Sequence, residues 1–239
     1  MISNIKNFFN TLFKRNFYIK DYNTDENELY SDRLRLDPLF FIYEKMKYIK
    51  LTNNQKFVID SILNKNKTFV TSYNYSHVTQ IQKLLIIWFL IYNPNIKILV
   101  IFPNDNLLKD FITETKILLK SIHIDYYPEY SVNTKNKLNI NKLTLNVFNN
   151  SKLFLKTTKQ KLSTIISEPD IDIVFMNQCM RSIHFEEIYD CVNRENDIIY
   201  FNIVEIKHDT EINKNNIDKL IQDDFIQIDL INDNEFKVK

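Results

Sequence analysis

A chain of 239 residues fits one generous domain or a domain with an arm, since a single hydrophobic core serves up to roughly 250 to 300 residues. Its 44% apolar and 13% aromatic composition is that of a folded globular protein. No run of about 18 uncharged apolar residues offers a membrane span, so the sequence reads as soluble. Lys and Arg number 31 against 30 Asp and Glu, a net charge of +1, so charge acts here through where it is concentrated.

Glycine is absent altogether and so is alanine, whereas Asn, Ile and Lys are abundant. AT-rich coding accounts for depletion of both residues but not for a count of zero. Glycines that hold φ > 0 or admit a phosphate against the backbone are hard to replace. No site in this chain depends on glycine. Cys179 and Cys191 stand without a CxxC spacing or a His at metal spacing, so neither a zinc site nor a disulfide framework is expected, and the compartment is a reducing cytoplasm. His77, His123, His184 and His208 are scattered, which gives no metal-binding pattern. No cofactor is expected.

In chain order, residues 1–20 place Ile2, Ile5, Phe8, Phe9, Leu12 and Phe13 at helical spacing. Lys14 and Arg15 follow the apolar part and no small-residue cleavage site appears. The segment therefore reads as an amphipathic helix that docks on a surface, and not as a signal peptide. A polar, acidic link over 21–32 follows, and Asp37-Pro38-Leu39-Phe40-Phe41-Ile42 opens a continuous globular pattern. The expected organisation is an N-terminal arm and linker over 1–36 and one globular domain over 37–239.

A helix is expected over 53–63, with Phe57, Val58 and Ile62 inward and Thr52 as its N-cap. Residues 68–72 form a β-branched and aromatic strand. Ile81, Leu84, Leu85, Trp88 and Phe89 give a strongly apolar helix over 79–92, and 96–102 is an uninterrupted strand ending at Pro103. Another helix follows over 106–119. Strands over 142–147 and 152–156 flank Asn149-Asn150, the best non-glycine residues for a left-handed turn, and read as a hairpin. Two buried-type strands, 171–176 and 198–204, are separated by a helix holding Phe185, Ile188 and Tyr189. Strands alternating with helices imply an α/β fold, a mainly parallel sheet with helices on both faces.

Charge is uneven. Residues 131–167 contain Lys135, Lys137, Lys142, Lys152, Lys156, Lys159 and Lys161 and no acid, whereas 205–235 is predominantly acidic. The lysine-rich stretch is either a solvated hairpin face or a surface for a phosphate backbone, that of duplex DNA in particular.

The order of these elements, Asp37-Pro38-Leu39-Phe40-Phe41-Ile42 followed by Leu51-Thr52-Asn53-Asn54-Gln55 before a helix, resembles the start of the ATPase domain of bacteriophage terminase large subunits. The strand 69–72, the Trp88 helix, Asn93-Pro94, the strand 97–102 and the Asn149-Asn150-Ser151 turn continue the likeness over about residues 37–204. The resemblance implies a P-loop NTPase-like sheet and makes Gln55 the match to a glutamine that reads adenine.

It also locates what is missing. The family's phosphate loop, Ser-Arg-Gln-x-Gly-Lys-Ser/Thr, corresponds to Tyr73-Asn74-Tyr75-Ser76-His77-Val78-Thr79, which has neither the glycine nor the lysine that a phosphate cradle requires. The family's Asp-Glu pair, which holds Mg²⁺ and activates water, corresponds to Asn177-Gln178. An amide keeps the shape of a carboxylate and loses its metal affinity and basicity. The Thr-rich coupling motif is replaced by Glu205-Ile206-Lys207, and no nuclease domain is expected after it.

The sequence is therefore expected to encode a catalytically inactive, terminase-like pseudo-ATPase. It would be a binding or accessory factor in phage DNA packaging or virion assembly, partnered by terminase or portal subunits or duplex DNA, in the cytoplasm of a bacterial host. Two other readings stand beside it: a nucleic-acid-binding module using the lysines of 131–167, and a divergent ATPase with nucleotide rearranged around Gln55 and Thr79.

Overall fold

The computed structural model describes residues 26–72, 75–123, 126–132, 138–147, 150–161, 165, 170–195, 198–206, 214–232 and 235–238. The chain divides into two compact units, Met1–Lys50 and Leu51–Lys239. The arm helix expected over 1–20 lies outside the described residues.

In the first unit, α1 (Glu26–Leu36) is followed by α2 (Pro38–Lys45). The break between them is written at Asp37, whose extended backbone lets its carboxylate accept the Phe40 N–H at 3.0 Å. Pro38 then opens α2 at a position where its missing N–H costs nothing. The expected polar link is helical from Glu26 onward. Leu34 is buried, Tyr30 packs edge-on against Phe40 at 5.6 Å and the Arg33 guanidinium lies 4.2 Å from the same ring, so packing between the two helices supplies what the polar composition conceals.

The second unit opens with α3 (Asn53–Asn64), started by a capping box in which Thr52 and Gln55 each bond the other's backbone N–H. Then come β1 (Lys67–Ser72), α4 (Tyr75–Tyr92), β2 (Lys97–Phe102), α5 (Asp105–Ser121), β3 (Tyr126–Val132), β4 (Leu138–Val147), β5 (Lys152–Thr157), β6 (Ile173–Asn177), α6 (Phe185–Glu195), β7 (Tyr200–Ile206), α7 (Lys214–Gln222), β8 (Ile226–Asn232) and β9 (Glu235–Val238). The strands form one sheet in the order β3-β4-β5-β2-β6-β7-β1-β8-β9. From β5 to β8 neighbouring strands are parallel. Antiparallel β4 and β3 extend one edge and β9 the other. Pro128 sits in β3, at an edge where a missing N–H is tolerated.

The two faces of the sheet are covered by different helices. Val174, Met176, Phe201 and Ile203 pack with Phe185, Ile188 and Tyr189 of α6 and Leu220 of α7 in one apolar cluster. Because side chains alternate along a strand, the intervening residues of β6 and β7 point the other way, where α4 lies. The α/β architecture with helices on both faces is thus present. The hairpin of β4 and β5 is present too, and Asn150 adopts a left-handed φ of 65°. Asp170, Gln178 and Asp224 hold similar values, so in a chain without glycine polar side chains take the left-handed positions.

Further elements differ from the sequence reading. Helix α4 begins at Tyr75, four residues before the expected start at Thr79. Strand β3, the edge strand containing Pro128, was not expected. The acidic stretch 205–235 holds α7 and β8, and β8 lies beside β1 within the sheet. Among the described residues, no helix is long and apolar enough to cross a membrane.

Candidate functional site

In an open parallel sheet, ligands bind beyond the carboxyl ends of the strands, where successive connections leave in opposite directions. Here that place is the adjoining ends of β6, β7 and β1. Only Tyr73 and Asn74 separate the end of β1 at Ser72 from the start of α4 at Tyr75. In a helix beginning at Tyr75 the first four N–H groups belong to residues 75–78, so the Thr79 N–H is committed within the helix. Val78 is completely buried, and Thr79 is buried beside it.

Beneath this helix start runs a continuous chain of neutral hydrogen bonds. Asn177, the last residue of β6, donates through Nδ2 to Thr79 Oγ1 at 3.2 Å and to Gln82 Oε1 at 2.8 Å. Gln82 Nε2 donates to Asn202 Oδ1 of β7 at 2.7 Å, and Asn202 Nδ2 donates to Thr68 Oγ1 of β1 at 2.8 Å. Gln178 turns out of the strand with a φ of 54°, donating its N–H to the Val204 carbonyl at 2.7 Å and its side-chain amide to Asn177 Oδ1 at 3.3 Å. Thr68, Thr79, Gln82, Asn177 and Asn202 are all buried. Buried polar groups are stable only when their bonds are made, and an amide brings both donor and acceptor, so these side chains serve as partners for one another.

This arrangement does not fit a magnesium nucleotide. A phosphate loop needs several backbone N–H groups curved around the phosphates and a lysine charge upon them. The position where the lysine is expected is the buried, uncharged Val78. Asn177 and Thr79 meet at the strand end through an N–H donor, which would repel a cation. Hard cations take oxygen ligands that usually include a carboxylate, and none of the groups in this hydrogen-bond chain is one.

The opposite face of the same strand ends carries the ionisable groups. Glu205, near the end of β7, is 1% exposed and accepts the Met180 N–H at 3.2 Å, with Arg181 Nε at 3.9 Å. Burial lifts its carboxyl from the ordinary 4.5 to about 7, against the opposing pull of the Met180 N–H and of Arg181. Thr71 of β1 is in register with Glu205 and with Asp229 of β8, and its hydroxyl donates to the buried Asp229 carboxylate, which also accepts from Gln227 Nε2 at 3.1 Å. Cys179, between β6 and α6, points its Sγ at the Ile101 and Asn177 carbonyls at 3.2 and 3.3 Å, and burial raises its thiol well above the usual range. That places it among inert structural thiols.

The remaining sequence candidates are dispersed. Gln55 is buried and its Oε1 accepts the Thr52 N–H at 2.8 Å, so its local task is to cap α3. Tyr73 and Asn74 lie outside the described residues, as does the side chain of His77 in the first turn of α4. Among the lysines, Lys135 and Lys137 lie outside the described residues, and Lys142 falls in β4 with its side chain likewise outside them. Lys152 is half-buried, and Lys159 and Lys161 are exposed. Lys156 corrects the expectation of a surface lysine: it is 2% exposed, because β5 is flanked by β2 and β4 and its residues from Leu153 onward are all buried. Among the described residues, no group of three or more His, Cys, Asp or Glu is placed to hold a metal ion.

The sequence reading missed Gln82, Asn202 and Glu205. Gln82 and Asn202 carried no distinctive local signal, since their helix also holds Gln80 and Lys83 and their strand also holds Glu205, and only the fold brings the two amides together.

Comparison with known proteins yields a fold and nothing finer. No family model matches the chain, and no curated protein sequence matches it. Among solved structures it is similar to the large terminase of a thermophilic bacteriophage, with a TM-score of 0.53 and 12% identity over 76% of this chain and 46% of that one. The same terminase in complex with ADP gives 0.52 at 12% identity, and in complex with ATP-γ-S 0.51 at 11%, each over 76% of this chain and 45% of that one. The chain thus spans less than half the length of these proteins and shares an α/β fold with part of them.

Proposed function

We propose that this chain is a terminase-like pseudo-ATPase: a scaffold that kept the fold, lost the chemistry and acts as a binding or accessory factor in phage DNA packaging or virion assembly. Its partners on this reading are terminase or portal subunits or duplex DNA, and its place is the cytoplasm of a bacterial host or the assembling virion. The likeness in fold to a phage large terminase supports the setting. The observation that carries the loss of chemistry is Asn177, whose amide donates to Thr79 and Gln82 where a magnesium site would need an acceptor. A decaying gene would not keep five buried polar side chains mutually bonded across one helical turn and three strands, so on this reading the fold is retained for a purpose other than hydrolysis.

Isothermal titration with Mg·ATP together with a phosphate-release assay tests the reading. No heat of binding at up to about millimolar nucleotide and no phosphate above the buffer rate are expected. Micromolar binding accompanied by turnover would overturn it and favour a rearranged nucleotide site.

A further inference from the structure

Two hidden penalties meet where α7 packs against the strand ends. Asn216, in the first turn of α7, is 3% exposed, and its Nδ2 donates to the Met180 carbonyl at 2.8 Å. Its Oδ1 is buried and has no hydrogen-bond partner among the described residues. A buried acceptor left without a donor weakens the packing that hides it. The N–H of the same Met180 is bonded to Glu205, whose carboxyl keeps its proton to about 7 because burial penalises its charge. Met180, in the turn after β6, thus joins the end of β7 to α7, and the two side chains it joins would both gain from contact with water.

The hold of α7 on this face is slight. Leu220 lies in one apolar cluster with Phe201 and Ile203, which share the face of β7 that carries Glu205. Of the nine residues of α7 only Asn216 and Leu220 are buried. Its ion pair, Lys219 to Asp190 at 2.6 Å, joins two partly exposed side chains, where such a pair contributes little. Among the described residues, the ionisable groups packed around Glu205 are Cys179 and Arg181 of the turn and, across Thr71, Asp229 of β8. Lys214 and Asp218 of α7, and His184, Glu186 and Glu187 at the start of α6, are exposed. Arg181 is therefore the cation beside the carboxyl, at 3.9 Å.

We propose that α7 is a proton-controlled flap, held against β7 while Glu205 is neutral and released as Glu205 ionises. Lifting the helix hydrates an acceptor that lacks a donor and a carboxyl that burial keeps neutral, so one motion relieves both penalties. In the closed form the carboxyl keeps its proton to about 7, and in the open, hydrated form only to the ordinary 4.5. Opening is therefore least favourable at low pH and grows by about tenfold per pH unit from 4.5 until about 7, where it levels off. The inference rests on none of the arguments about the nucleotide site.

Hydrogen–deuterium exchange of the full chain at about pH 5, 6 and 7, with each rate divided by its intrinsic value, tests it. Protection of the Met180 N–H and of the α7 amides should fall roughly tenfold per step, on the order of a hundredfold in all. At every pH the α7 amides should be at least about a hundredfold less protected than those of β2, which is paired on both sides, because the flap opens without global unfolding. Glu205→Gln is neutral throughout and can still accept the Met180 N–H, so protection of α7 should stay constant across the series. Arg181→Gln removes the cation that favours the charged form, so the fall should continue beyond about pH 7. That variant decides the matter by itself should Glu205→Gln not fold. The proposal is overturned if α7 has the same pH dependence in the parent and in Glu205→Gln, if α7 is as protected as β2, or if Arg181→Gln leaves the range of the fall unmoved.

Discussion

The two faces of the sheet handle buried polarity in opposite ways at the same strand ends. Toward α4, the chain from Thr68 through Asn202 and Gln82 to Asn177 and Thr79 is made of hydroxyls and amides that neither gain nor lose a proton. Toward α6 and α7, Glu205 and Asp229 flank Thr71 in adjacent strands, and Glu205 holds its proton to about 7 because burial penalises its charge. A nucleotide-hydrolysing site needs charge on the first face, under the helix that follows β1. In this protein the carboxylates are on the second, and the first is neutral and self-satisfied. The difference teaches that polar groups at adjoining strand ends can be kept buried in two ways, as neutral amides and hydroxyls bonded to one another or as a carboxyl that holds its proton.

The sharpest way to break the comparison is to open the neutral chain at its centre. Asn202→Leu deletes the acceptor of Gln82 Nε2 and the donor to Thr68 Oγ1, leaving two buried polar groups without partners. At roughly 1 to 3 kcal/mol for each orphan, the fold should lose about 4 kcal/mol, read as a lower urea midpoint at unchanged m. Because nothing in this chain titrates, the loss should be the same at about pH 5 and about pH 8. A loss below about 1 kcal/mol, or one that varies with pH, would mean that the neutral face is not the closed network described.

The second face should do the reverse. The folded-state value for Glu205 lies above the ordinary 4.5, so its proton stabilises the fold at low pH, and that contribution falls away as pH rises from 4.5 through about 7. At about 1.4 kcal/mol per pH interval the swing is on the order of 3 kcal/mol, and Glu205→Gln, which stays neutral and can still accept the Met180 N–H, should flatten this part of the profile. Urea unfolding across the interval measures it. A parallel pair of profiles for parent and variant would remove Glu205 as the source of the contrast.

How much of this was legible in the sequence follows from the same contrast. Apolar periodicity located α3, α4, α5, α6 and the strands β1, β2, β5, β6 and β7, because burying an unbroken apolar run leaves few alternatives. It failed at β8, where Gln227 and Asp229 alternate with apolar residues in an acidic stretch and yet are buried, since their bonds to each other and to Thr71 exist only once β8 lies beside β1. Asn177 and Gln178 were legible as amides in place of acids. Their partners were not: Gln82 and Asn202 lie far away in the chain and are joined by the order β6-β7-β1, which no local pattern encodes. The early start of α4 was hidden for a similar reason, because Tyr75-Ser76-His77 has no strong helix signal of its own. Lys156 was misplaced because a lysine count by segment does not reveal that its strand lies inside the sheet, where consecutive residues of both faces are buried.

The smallest expected effect sharpens the comparison at the one point where the two readings of the site meet. Thr79→Val keeps the shape of the side chain and removes its oxygen, so Asn177 Nδ2 loses the longer of its two bonds, at 3.2 Å, and keeps the 2.8 Å bond to Gln82. The donor is not orphaned, and the buried valine gains some apolar contact in exchange for the hydroxyl. The net cost should therefore be about 1 kcal/mol, independent of pH and of added Mg²⁺. Were Thr79 instead a latent metal ligand, Mg²⁺ would raise the melting temperature of the parent and leave that of Thr79→Val unchanged. A thermal melt of both proteins with and without magnesium therefore separates a hydroxyl that serves only as an acceptor for Asn177 from one that still belongs to a nucleotide site.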